Sequence, residues 1–120
     1  MRMQSDRALA TCRGLPGATE GYPFGPGALV FKVAGKMFAI AHDSRLSLKC
    51  EPALAEVLRG AYRAVTAGYH LDKRHWNSIE LDGSVPDGVL NDWIEDSYDF
   101  VVASLSRTQR EQLLAERRLV

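Results

Sequence analysis

Between residues 28 and 50 apolar and polar side chains alternate with the period of extended strand. The segments ALVFKV (28–33) and KMFAIA (36–41) flank a two-residue turn, Ala34-Gly35, and read as a β-hairpin. Pairing across that turn sets Val33 opposite Lys36, Phe31 opposite Phe38 and Leu29 opposite Ile40. One face then carries Leu29, Phe31, Val33, Phe38 and Ile40, the other Val30, Lys32, Met37 and Ala39. A slip of one residue would exchange the two faces. A third strand, RLSLKC (45–50), alternates Leu46, Leu48 and Cys50 with Arg45, Ser47 and Lys49, which gives the sheet an apolar side and a polar, basic side. In WNSIELDG, Ile79 and Leu81 alternate with Ser78 and Glu80, a further strand.

Helical spacing appears elsewhere. Ser5 to Arg13 predicts a first helix with a narrow stripe at Leu9 and Cys12, stopped by Gly14 and Pro16. Pro52 opens a short helix expected to turn Leu54, Val57 and Leu58 inward and to stop at Gly60. The long helix follows Ser84, its expected N-cap, with Pro86 in the first turn and Asp87 three residues after the cap. Its core face is Val89, Leu90, Trp93, Ile94, Tyr98, Val101, Val102 and Leu105. TQREQLLAERR predicts a terminal helix with arginines at its C-terminal end. The Gly- and Pro-rich PGATEGYPFGPGA is expected to be a shaped loop whose Tyr22 and Phe24 seal the sheet edge. Residues 61–75 show no clear period. Strands between terminal helices, with one helix inserted, predict an α+β sandwich.

Composition narrows the class. The 120 residues, 46% apolar and 25% charged, suit one globular domain rather than a disordered chain. We expect a single domain over 1–120, with its core at about 5–105 and a helical tail at 106–120. Fifteen basic residues balance fifteen acidic ones, which argues against a chain that simply coats polyanions. The balance is uneven along the chain: residues 32–76 carry +4 and residues 77–120 carry −5. That asymmetry favours an anionic ligand at one face or head-to-tail contacts between copies. Cys12 and Cys50 lie far apart with no CxxC context, as expected of thiols in a reducing compartment. No stretch approaches a membrane span, so the expected location is cytoplasmic, with no membrane partner.

The densest chemistry is GYHLDKRHWN (68–77). His70 and His75 are five apart, which places them on different sides of a helix and opposite faces of a strand. A third ligand would have to come from Asp43, Cys50 or Asp72, so no metal is expected. His and Lys together can do acid–base work, but no nucleophile elbow, P-loop or dinucleotide fingerprint accompanies them. No catalytic residue and no cofactor is assigned. The remaining reading is contact with an anion, through Lys73, Arg74 and His75 joining Lys32, Arg45 and Lys49 if the loop folds beside the polar sheet face. LDGS (81–84) most simply ends a strand and caps a helix.

Several segments together resemble one family. GYHLDKRHWNSIELDGSVPD is similar to the MmcQ/YjbR signature H-x-x-K-x-H-W, a strand, then L-D-G-S-x-P-D. LPGATEGYPFGPGALVFKVAGKMFA, RLSLKCEPALAEVLR and DSYDFVVASL resemble its N-terminal part, its S-L-K strand with the helix after it, and its C-terminal S-Y helix. The likeness spans about Leu9 to Leu105. It implies a CyaY-like (YjbR-like) two-layer α+β sandwich, an antiparallel sheet packed against N- and C-terminal helices with one short helix inserted. It also implies the family's usual label, a DNA-binding protein, with DNA or another polyanion as partner. Carried over by motif, the family positions are Lys49, His70, Lys73, His75, Trp76, Asn77 and Asp82. The expected nucleic-acid or anion contacts are thus Lys32, Arg45, Lys49, His70, Lys73, Arg74 and His75, and the structural motif is Trp76, Asn77, Asp82 and Ser84. The alternatives are a small-molecule or resistance-type protein, or an enzyme, with a pocket around His70 and His75, and a protein-interaction adaptor.

Overall fold

The structure, a computed structural model, describes residues 3–68 and 71–118, with side chains for 4–116 within those limits. The elements run α1 (Met3–Gly14), β1 (Ala18–Gly21), β2 (Ala28–Val33), β3 (Lys36–His42), β4 (Arg45–Lys49), α2 (Pro52–Ala61), β5 (Val65–Ala67), β6 (Trp76–Glu80), α3 (Asp87–Ala103) and α4 (Arg107–Arg118). The strands form one antiparallel sheet in the order β1-β2-β3-β4-β6-β5. The chain therefore passes from β4 through α2 to the far edge at β5 and returns to place β6 between them. Two short edge strands stand where the sequence shows no alternation: β1 within the Gly/Pro segment, and β5 within 61–75.

The hairpin is present, and its turn carries positive φ at both Ala34 (49°) and Gly35 (79°), the twist that suits a two-residue connection. Its register corrects the simple alternation. Val33 does face Lys36, but Phe31 faces Ala39 and Leu29 faces Ala41, because the pairing shifts at Phe31/Lys32 and leaves Phe38 as an extra residue. This β-bulge moves Ile40 to the second face and Ala39 to the first. Phe38 and Ala39 are both fully buried in the main core.

That core lies between the sheet and the helices. Leu29, Phe31, Val33, Leu46, Leu48, Val65 and Ile79 meet Ala8 and Cys12 of α1 and Leu90, Ile94, Tyr98 and Val101 of α3. Phe38 meets the edge of the Tyr98 ring at 5.4 Å between centroids, a favoured aromatic geometry. Ser97 is completely buried. Its hydroxyl donates to the Phe38 carbonyl (2.6 Å) and accepts from the Lys49 amide (2.9 Å), so one helix side chain completes a backbone group at the bulge and another at the end of β4. Leu113 of α4 also reaches this core.

Two helix expectations are corrected. In α2 the buried position is Ala55, while Leu54 and Val57 are exposed and Gly60 lies inside the helix. α3 begins at Asp87 after Pro86, with no side-chain cap. Ser84 instead bonds to Asp82, and Asp87 receives Gln4 (3.0 Å) and Arg7 from α1. Gln4, itself buried, also donates to the Val85 carbonyl and accepts from the Gly83 amide, so α1 fastens the turn that leads into α3. Among the described residues no helix is long and apolar enough to cross a membrane.

Candidate ligand-binding cleft

The segment from Asp72 to Asn77 is a tightly bonded turn that feeds β6. The Asp72 carbonyl accepts the amides of His75 (3.2 Å) and Trp76 (2.9 Å). Its carboxylate pairs with His75 Nδ1 (3.0 Å) and accepts the Arg74 amide (3.0 Å). His75 first, then the Arg74 amide, hold the Asp72 carboxyl below its ordinary value. Asn77 is buried: its Nδ2 donates to the Ala55 carbonyl of α2 (3.2 Å) and its Oδ1 accepts Arg59 Nε (2.7 Å). Arg59 donates also to the Lys73 carbonyl, so Asn77 and Arg59 together tie α2, the turn and β6. Ala55 is small enough for the Asn77 amide to reach the helix backbone. Gly68 is fixed by the same packing, since a Cβ there would lie 2.7 Å from Trp76 Cβ. Asp82 plays a matching part after β6: its Oδ1 accepts the Ser84 amide (2.9 Å) and hydroxyl (2.6 Å).

The expected anion contacts divide into groups. Lys32, Arg45 and Lys49 do share the second face, as the pairing of β2, β3, β4 and β6 requires. Arg45 and Lys49 stand at opposite ends of β4, about 13 Å apart at strand rise, and Lys32 is two strands away, roughly 10 Å from the Lys49 end and farther from Arg45. Arg45 Nε binds Glu80 Oε1 at 3.0 Å. Lys49 Nζ lies 5.9 Å from the Trp76 ring and 6.0 Å from the Phe100 ring, within cation–π range of both. His75 is half-buried beside Phe100, and Lys73 and Arg74 are exposed on the turn. His70 lies outside the described residues. These cations form separate stations, each with its own neighbours, rather than one continuous bank.

The second face also departs from the polar surface that its alternation suggests. Val30, Ile40 and Trp76 are buried there, with Ala28, Met37 and Leu71 packed on them. Two connections cover part of it: the β1–β2 loop carrying Phe24, and the β5–β6 loop carrying Leu71. Between them is a cleft of about 340 Å³. Ile40, Ser47 and Ser78, cross-strand neighbours on β3, β4 and β6, line its floor, and Ser47 and Ser78 share a hydrogen bond of 2.8 Å. Phe24, Ala28 and Leu71 line its walls, and His42 and Arg45 one end. The volume falls in the range of roughly 300–1,000 Å³ usual for small-molecule sites, and mostly apolar walls around a few polar groups are their usual chemistry. Tyr22 and Phe24 are 56% and 67% exposed rather than sealed into the sheet edge. Sequence reasoning missed Phe24, His42, Ser47, Leu71 and Ser78. Two aromatics in a loop of glycine and proline were the one available signal.

On the helix side the chemistry is sparse. Burial pushes the Cys12 thiol up to about 12 and raises Cys50 as well, so neither is an activated nucleophile. Among the described residues no group of three or more His, Cys, Asp or Glu could hold a metal ion. Asp96 of α3 has its carboxyl raised, first by desolvation and then by Asp92 and Asp99. A raised carboxylate opposes folding above its folded pKa, and the opposition vanishes once pH falls below the unfolded value. Asp96→Asn is therefore expected to raise the melting temperature at pH 7. The gain should disappear in melts run below the ordinary aspartate range.

A family model described as YjbR matches residues 13–100. The uncharacterized protein YjbR of Escherichia coli strain K12 is 33% identical over 116 residues, covering 93% of this chain and 98% of that protein. The uncharacterized protein YbdF of Escherichia coli O157:H7 is 31% identical over 96 residues, covering 77% and 79%. The crystal structure of Deinococcus radiodurans protein DR2400, a DUF419 domain, superposes with a TM-score of 0.85 at 35% identity, covering 94% of this chain and 90% of that one.

Proposed function

The chain belongs to the YjbR family, and from that starting point we propose that it is a binding protein for a small molecule, held in the cleft on the second face of the sheet. The observation that carries this reading is the cleft itself: a 340 Å³ space floored by Ile40 and the Ser47–Ser78 pair and walled by Phe24 and Leu71. A surface that served only as scaffold would gain by closing over Phe24, because each Å² of apolar area removed from water contributes about 25 cal/mol. The pocket favoured here sits around His42 and Arg45, at the other end of β4 from Lys49, rather than around His75. We place the protein in the cytoplasm, a reading that rests on two cysteines far apart in the sequence and outside any CxxC context.

DNA or another polyanion is the competing partner, favoured by the exposed neighbours Lys73 and Arg74 on the turn before β6. It is weakened by the engagement of Arg45 with Glu80 and of His75 with Asp72. One experiment separates the two. A fragment library is screened by thermal shift against the wild type and a Lys73→Ala/Arg74→Ala variant, while labelled duplex and single strands are titrated at two salt concentrations. We expect fragments that stabilise both proteins equally, by mass action, and no tight strand binding. A salt-dependent complex with DNA that the double variant abolishes, with no stabilising fragment, would reverse the assignment.

A further inference from the structure

The charged groups at the cleft are already matched by neighbours on their own surface. Arg45 Nε donates to Glu80 Oε1 at 3.0 Å, and Glu80 Oε2 accepts the Ser44 hydroxyl at 3.4 Å. His42 Nδ1 lies 3.5 Å from Asp43 Oδ2. An entering carboxylate or ammonium would lose its water against Ile40, Leu71 and Phe24, and would have to compete with Glu80 for Arg45 or with Arg45 for Glu80. Taking a charge out of water without a committed partner is strongly unfavourable. An uncharged molecule meets no such cost.

The walls select further. Phe24 offers an exposed ring on one side, and the planar Arg45 guanidinium, held by Glu80, stacks well on aromatic faces. On the floor, a serine hydroxyl has one hydrogen to give and two lone pairs, so the bond between Ser47 and Ser78 leaves hydrogen-bonding capacity at Ser47. We infer that the ligand is an uncharged, flat aromatic molecule with one hydrogen-bonding group, which reaches Ser47 while its rings lie between Phe24 and Leu71. This rests on the cleft being a ligand site.

Calorimetric titration of the full chain with three molecules of one skeleton tests it: 2-naphthamide, 2-naphthoate and 2-naphthylmethylammonium. The amide is expected to bind at least about tenfold more tightly than either ion, the desolvation of an unmatched charge supplying the difference. Phe24→Ala, at an exposed position, should weaken the amide several-fold by removing the ring it lies on. Glu80→Gln should narrow the gap between amide and carboxylate, since it removes the carboxylate charge that competes for Arg45. Naphthoate binding the wild type as tightly as the amide would overturn the inference and leave the cleft reading standing. If none of the three binds, the inference fails, while the cleft reading is decided separately by the fragment screen.

Discussion

Ser97→Ala is expected to destabilise the protein by about 3 kcal/mol, since it strands two buried backbone groups at about 1–3 kcal/mol each. The Phe38 carbonyl, at the bulge between β2 and β3, and the Lys49 amide, at the end of β4, both bond to the one hydroxyl. Alanine fills nearly the same space, so the cost is one of hydrogen bonding rather than packing. For a chain of this size the loss corresponds to a fall in melting temperature of roughly 10 °C. Denaturant titration should show a lower midpoint with an unchanged slope, the mark of a native state that is weaker but equally folded. A change below about 0.5 kcal/mol, the scatter of ordinary surface substitutions, would mean that the bulge satisfies itself without Ser97.

Asn77→Leu should cost about 2–4 kcal/mol for a related reason: the side chain keeps its branched shape but loses both hydrogen bonds, and a charged donor loses its acceptor. Arg59 Nε would face a methyl group instead of the Asn77 carbonyl, and the Ala55 carbonyl would lose its side-chain donor. The predicted consequence is loosening of α2 and of the Asp72–His75 turn, read as faster exchange of the Gly68 amide, which donates to the Trp76 carbonyl, and of the Trp76 amide, which donates to the Asp72 carbonyl. Ligand binding at the cleft should survive in the folded fraction, because Asn77 points to the helix side while Ser47 and Ser78 point to the other. Loss of binding without loss of stability would reassign Asn77 from scaffold to site.

Much of the fold was legible because its strongest signals are local. The hairpin turn, the alternation of β4 and the spacing of α3 from Leu90 to Val101 each follow from a single segment. The bulge was not legible. Phe38 and Ala39 are both apolar, so the alternation continues through them, and only Ser97, fifty-nine residues away along the chain, shows why the extra residue is tolerated. β1 and β5 are four and three residues long and owe their extended form to a paired neighbour. On α2 Leu58 packs on the core as its spacing suggests, but Leu54 and Val57 were misread because size governs the face: Asn77 needs a small residue to reach the helix backbone, and Ala55 is the buried position.

The site divides along the same line. Trp76 is buried on the second face and Asn77 bonds to α2 some twenty residues back, while only the Asp82–Ser84 bonds are local enough for the sequence to suggest them. The cleft is assembled from residues as distant as Phe24, Ser47 and Leu71, and no spacing along the chain encodes it. Aromatic residues in a glycine-rich loop and serines inside strands have commoner explanations until the sheet order brings them together.

Methyl-resolved NMR during titration with a stabilising fragment tests the central claim most directly. The methyl groups of Ala28, Ile40 and Leu71, which border the cleft, can be followed beside those of Leu54 and Val57, which are exposed on α2. Saturable shifts at the first three, with Leu54 and Val57 unmoved, are what a ligand on the second face of the sheet predicts. Shifts confined to Leu54 and Val57, with Ile40 and Leu71 silent, would place the binding surface on the helices and contradict it.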